Sequence, residues 1–148
     1  MKESELKVFV EGTMSYFEQV CGSQPEIGVP YPKNAEFVLS DYTGAIGISG
    51  ARKGCIYITA DRGMLQSLVS QVDPSTAPGE DAVLDMVGEV ANNIAGNAQS
   101  AFGAGFMISV PLIITGKPTG LELPLRIPVF IIPFSWQGGK ASLVVGIE

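Results

Sequence analysis

Within the stretch Asp81 to Phe102, Asp85, Glu89 and Asn92 recur at helical spacing. A helix turns about 100° per residue, so positions three and four apart project from one face. A carboxylate pairs with cations, and a carboxamide donates and accepts hydrogen bonds without titrating near neutral pH. Gly88 and Gly96 flank the pair. They leave no side chain to hold another molecule's backbone away. This polar stripe is the strongest functional signal in the chain.

The helix that must carry it is amphipathic. Its other face reads Val83, Met86, Val87, Val90, Ile94, Ala98 and Ala101, an apolar stripe suited to a core. Its length would be about 34 Å at 1.5 Å per residue, with Gly103 and Gly105 as its stop. Residues 4–21 predict an earlier helix, with Leu6, Phe9, Val10, Phe17 and Val20 inward and Lys7, Glu11, Ser15 and Glu18 outward, stopped at Gly22. A loop with Pro25, Pro30 and Pro32 follows. Strand patterns then appear at Glu36–Leu39, Ala45–Ile48 and Lys53–Ala60, the last two as a hairpin across Gly50–Lys53. Met64–Val72 predicts a short helix. After the long helix come strand patterns at Phe106–Ile114, Leu123–Pro133 and Lys140–Ile147, the last pair joined by a turn at Gly138-Gly139. Pro124, Pro128 and Pro133 mark the middle strand for edges or bulges. The run Pro128–Phe134 reads as a core strand ahead of a partner-binding edge.

Each half thus begins with a long amphipathic helix and continues into strands, a weak internal duplication. The doubly wound alternation of strand and helix is missing. The expected class is α+β, with long amphipathic helices packed on a largely antiparallel sheet in pseudo-duplicated helix-plus-strands halves. The 148 residues suit a single domain over 1–148 with a real core.

Composition narrows the chemistry. With 46% hydrophobic and 16% charged residues the chain is a globule and not a disordered tail. Net charge is −6, the pI is about 4.6, and the densest basic spot is Arg52-Lys53. Phosphate-backbone binding needs clustered cations, so no nucleic-acid partner is expected. The chain contains no histidine. That removes His-dependent triads, His general bases and His-containing zinc sites. Cys21 and Cys55 stand 34 residues apart, too few for a cluster or a disulfide framework, and read as buried free thiols. No metal site is expected. Met1–Gly12 is too polar for a signal peptide and no apolar run reaches membrane-spanning length, so a cytoplasmic protein without membrane contact is expected. Arg52, Lys53 and Arg62 read as solvated charges.

The run from Asp85 to Ala98, with Glu89 and Asn92 inside Gly-Glu-Val-Ala-Asn-Asn-Ile-Ala-Gly-Asn-Ala, resembles the CheC/CheX family of bacterial chemotaxis phosphatases. The family's motif is an acid or serine, then Glu, then Asn at these intervals, followed at a distance by a proline. Pro111, in Ile108-Ser109-Val110-Pro111, looks like that proline; Pro118 is the alternative. In the first helix Glu11 is followed three residues on by Met14, and methionine presents no amide. One working helix is similar to the CheX-like branch, whose members resemble homodimers formed through the sheet.

The resemblance implies a phosphatase that stimulates hydrolysis of the aspartyl phosphate on a CheY-like response-regulator receiver. Asn92 would orient the attacking water, and Glu89 would pair with the receiver's lysine. Asp85 would contact the partner at the rim or remain a solvated charge, and Gly88 and Gly96 would admit the partner's backbone. Mg²⁺ would be supplied by the receiver, with no cofactor of the chain's own. The alternative is a non-catalytic adaptor of the same fold that binds receivers or flagellar-switch components.

Overall fold

A computed structural model of the chain describes residues 1–34, 37–121 and 128–148. The first helix, α1 (Glu3–Cys21), ends at Gly22 as expected. It buries Phe9, Gly12, Thr13, Tyr16 and Phe17. Leu6, Val10 and Val20 of the anticipated stripe are half-buried only. The inward face is rotated because α1 lies across the long helix at Gly12, where a β-carbon would come 3.6 Å from Asn97 Cβ.

The proline-rich loop contains two short strands that periodicity does not reveal, β1 (Glu26–Ile27) and β2 (Tyr31–Lys33). The predicted hairpin is β3 (Tyr42–Gly50) with β4 (Gly54–Ala60), antiparallel from Tyr42↔Ala60 to Ile48↔Gly54. Phe37–Leu39 do not pair as a strand, and Glu36 lies outside the described residues. Instead the backbone N–H of Val38 donates to Tyr57 Oη (2.9 Å) and that of Ser40 to Thr59 Oγ1 (2.7 Å). These bonds lay the segment over the sheet's outer face. Next come α2 (Arg62–Val72), whose N-cap Asp61 accepts from Met64 N–H at 2.8 Å, and α3 (Glu80–Phe102).

The strand pattern after α3 is broken in two, β5 (Phe106–Ile108) and β6 (Leu112–Thr115). The final hairpin is β7 (Val129–Trp136) and β8 (Gly139–Ile147). Of the predicted middle strand, 123–127 lie outside the described residues. The hairpin turn falls one residue earlier than expected: Gln137 and Gly138 carry φ of 49° and 79°, the positive pair a two-residue loop needs to follow the sheet's twist.

The strands form one antiparallel sheet, ordered β1-β7-β8-β4-β3-β5, with β2 also on β7 and β6 also on β3. The duplication becomes concrete here. The long hairpins β3–β4 and β7–β8 meet at β4–β8, whose register is symmetric about Tyr57↔Val144. Each half sends its broken short strands to the edge of the other half, β1 and β2 to β7, β5 and β6 to β3. Helices α1, α2 and α3 cover one face. Ile46, Ile56, Ile58, Leu143 and Val145 meet Leu65, Leu68, Val87, Val90 and Ile94 in the main core. A smaller cluster of Tyr57, Val129, Ile131 and Val144 occupies the outer face. Among the described residues, no helix is long and apolar enough to cross a membrane.

Candidate functional site

The position of α3 is set from two directions. Across the sheet it runs over β3 at Gly44, where a β-carbon would stand 2.7 Å from Val87 O. That separation is below van der Waals contact, so any larger residue would push the helix off its strand. At its first turn, Arg62 Nη1 donates to Tyr42 Oη and to Glu80 Oε2, both at 2.7 Å, and Tyr42 Oη donates to Glu80 at 2.6 Å. The hydrogen bond from Tyr42, then that from Arg62, holds the Glu80 carboxyl below its ordinary value. Arg62, expected to be an unengaged charge, therefore ties β3 and α2 to the start of α3. Arg52 is engaged as well. It pairs with Glu5 of α1, and its Nε donates to Glu148 O at 3.0 Å.

The helix buries Val83, Met86, Val87, Gly88, Val90, Ala91, Ile94, Ala95 and Ala98. Ala101 is exposed, contrary to expectation. The stripe continues from Ala98 to Phe102 by a step of four. Phe102 stacks on Phe106 at 5.0 Å and meets Phe9 at 5.8 Å, leaving Ala101 outside.

Asp85, Glu89 and Asn92 are all exposed and share the face away from the core. They border an open groove of about 360 Å³. Leu84, Asp85, Gly88, Glu89 and Asn92 line it from α3, and Pro111 and Ile113 from the opposite wall. Among the described residues no hydrogen bond engages the Asn92 amide or the Glu89 carboxylate. The neighbouring Asn93 turns back on the helix, its Nδ2 donating to Glu89 O at 2.8 Å. Asn97 is exposed beside Gly12 of α1. Beneath the ridge, Tyr16 Oη donates to Met86 Sδ at 3.9 Å. Burial, and then the Glu89 carboxylate, push the Tyr16 phenol above its usual range. No three His, Cys, Asp or Glu side chains cluster in a way that could hold a metal ion, among the described residues.

The two glycines differ. Gly96 is half-exposed with open space above it. Gly88 is buried, and a β-carbon there would meet Ile113 Cδ1 at 3.1 Å and Pro111 Cγ at 3.7 Å. What Gly88 admits is the chain's own β6 segment, which builds the groove's far wall. Pro111 therefore lines the groove, whereas sequence spacing left it beside Pro118.

Sequence reasoning missed how that wall is made. β3 pairs Ile48 with Ile108 and Ala45 with Leu112, so Ser109, Val110 and Pro111 stand opposite Gly47 and Ile46. One extra residue is a β-bulge, which re-aims side chains locally. Ser109 N–H donates to Gly47 O at 3.0 Å. Ser109 Oγ accepts from Gly47 N–H and donates to Val110 O, both at 2.9 Å.

This groove lies within the residues that known proteins share with the chain. A family model described as chemotaxis phosphatase CheX matches residues 42–135, well over half of the sequence. The chain belongs to the CheX family. Chemotaxis protein CheX from Desulfovibrio desulfuricans is similar over 98% of this chain and 99% of its own, at 28% identity and a TM-score of 0.86. CheX from Vibrio vulnificus matches 98% of this chain and 99% of its own, at 26% identity and a TM-score of 0.85. The CheX-CheY-BeF3-Mg²⁺ complex from Borrelia burgdorferi shares the fold over 97% of both chains, at 22% identity and a TM-score of 0.74. Among curated proteins none matches the sequence. Family membership makes this a phosphatase of chemotaxis signalling at the level the family is described.

Proposed function

We propose that this protein stimulates hydrolysis of the aspartyl phosphate on a CheY-like receiver, with the Glu89–Asn92 ridge entering the receiver's site. The observation that carries the reading is the exposed carboxylate–carboxamide pair on α3 beside an open groove, without a hydrogen-bond partner among the described residues. The Borrelia relative's complex with CheY supports the choice of partner.

Phosphoryl transfer to water needs an oxygen held in line with the bond that breaks. The Asn92 amide accepts from and donates to one water at once, which suits it to orient that nucleophile. Glu89 pairs with the receiver's lysine, a short charge-assisted contact that sets the helix's register. Asp85, one turn earlier, meets the partner at the rim, and Gly96 leaves room for its backbone. In this reading Mg²⁺ comes with the receiver; the Borrelia relative's complex with CheY contains BeF3 and Mg²⁺. The same reading carries a homodimer through the sheet, to be checked by sedimentation equilibrium.

A hundredfold acceleration corresponds to about 2.7 kcal/mol of barrier lowering, within reach of one well-placed amide. The test follows decay of phosphate on a cognate receiver, with wild type and Asn92→Ala. Wild type is expected to speed the decay, and Asn92→Ala to lose most of that effect while still binding the phosphorylated receiver. If both leave the decay untouched but bind, the protein is an adaptor.

A further inference from the structure

The two halves of the fold each carry one bulged short strand, and the differences between them isolate what the site half adds. In the first half, Ile27 pairs with Phe134 and Tyr31 with Ile131, so Gly28, Val29 and Pro30 stand opposite Pro133 and Ile132. In the second, Ser109, Val110 and Pro111 stand opposite Gly47 and Ile46. The sequences Ile27-Gly28-Val29-Pro30 and Ile108-Ser109-Val110-Pro111 match at three of four positions. Both valines project into solvent, Val29 83% and Val110 84% exposed. Gly28 N–H donates to Pro133 O at 2.7 Å, as Ser109 N–H donates to Gly47 O.

The exposed valine recurs in the half whose helix carries Glu11 and Met14, so it does not mark the site. The serine does. Opposite Gly28 stands Pro133, which has no N–H to satisfy, and a β-carbon at Gly28 would lie 3.0 Å from Pro133 Cγ. Opposite Ser109 stands Gly47, whose N–H points into the bulge and donates to Ser109 Oγ. The same hydroxyl donates to Val110 O. Ser109 is thus bonded to both strands of the bulge two residues before Pro111, which rests against Gly88 and walls the groove.

We infer that Ser109 is a positioning residue for the proposed phosphatase reaction. Its hydroxyl fixes the bulge, the bulge fixes Pro111 and Ile113 against α3, and that wall sets where the receiver seats relative to Asn92. This rests on the reading under Proposed function and deepens it. Because the hydroxyl's bonds are at the surface, removing it leaves the core intact and the protein folded.

The test compares wild type, Ser109→Ala, Ser109→Thr and Asn92→Ala in receiver dephosphorylation at saturating phosphatase, alongside amide exchange at Gly47 and Gly28. Small misplacements of a docked reactant are costly, so Ser109→Ala is expected to lower the Asn92-dependent rate about tenfold, whereas Ser109→Thr, which keeps the acceptor, stays near wild type. Exchange at Gly47 should quicken in Ser109→Ala and revert in Ser109→Thr, with Gly28 unchanged throughout. If Asn92→Ala is slow but Ser109→Ala turns over like wild type, the inference is overturned while the phosphatase reading stands. If Asn92→Ala equals wild type, the phosphatase reading falls, and the role of Ser109 with it.

Discussion

Replacing Gly88 by alanine sets two effects of known sign against each other. An interior helical glycine costs roughly 1 kcal/mol relative to alanine, so the substitution alone should stabilise α3. Against this, the new methyl would sit 3.1 Å from Ile113 Cδ1 and 3.7 Å from Pro111 Cγ. The first distance is a few tenths of an ångström too short. Ile113 Cδ1 is the far end of a flexible side chain, and turning it off its rotamer costs about 0.5–1.5 kcal/mol. The two contributions nearly cancel, so Gly88→Ala should unfold within roughly 0.5 kcal/mol of wild type. Gly96→Ala is the control, because nothing lies within 4 Å of its added methyl. It should gain the full ~1 kcal/mol, which raises Tm by about 2–4 °C in a domain of this size. The assay is thermal and urea unfolding of the three proteins side by side. In Gly88→Ala the displaced Ile113 narrows the groove, so receiver dephosphorylation should slow although stability barely moves. Equal stabilisation by both substitutions would refute the close packing of β6 on Gly88. A loss beyond about 2 kcal/mol in Gly88→Ala would mean the wall cannot yield, and the rotamer argument would fail.

Gly44→Ala has no such escape, because the methyl meets the Val87 carbonyl oxygen at 2.7 Å and Ala91 Cβ at 3.1 Å. It should destabilise by about 2–3 kcal/mol and lower Tm by roughly 5–10 °C, read by calorimetry. Arg52, first through its hydrogen bond, holds the Glu5 carboxyl below its ordinary value of 4.5. A lowered acid contributes stability above its unfolded value and loses it as pH falls through the folded one. Arg52→Ala should therefore narrow its stability gap from wild type below about pH 4.5, as acid unfolding curves would show. At the alkaline end, burial pushes the Cys55 thiol up to about 11 and the Tyr57 phenol up to about 12. Their raised values stabilise the fold below the unfolded values, and the benefit is lost as pH rises from 9 toward 12. Native Cys55 should resist alkylation near pH 8 while half-buried Cys21 reacts first, a difference that peptide mapping would reveal.

Much of this molecule follows from local pattern. A 3.6-residue period over Val83 to Ala98 and a polar stripe at Asp85, Glu89 and Asn92 are properties of one helix, so the ridge was legible without its surroundings. The α+β class, the β3–β4 hairpin and the crude duplication were legible too, since each rests on runs of adjacent residues. Reading failed where a second element decides the outcome. The short strands β1 and β2 have no periodicity and exist because β7 offers them an edge. Phe37–Leu39 carry strand-forming residues, yet Tyr57 and Thr59 draw the segment across the sheet. Arg62 became an anchor once folding brought Tyr42 and Glu80 to it.

The chain's own order of residues determined which polar side chains share the exposed face of α3, because helical spacing alone puts Glu89 and Asn92 on one side. Tertiary structure decided everything about the wall they face. Pro111 rather than Pro118, the burial of Gly88 and the grip of Ser109 on Gly47 all depend on a bulge whose register is set by pairing with β3. Spacing along a helix is a covalent property, whereas the register between strands far apart in sequence is a balance of packing that no local window contains.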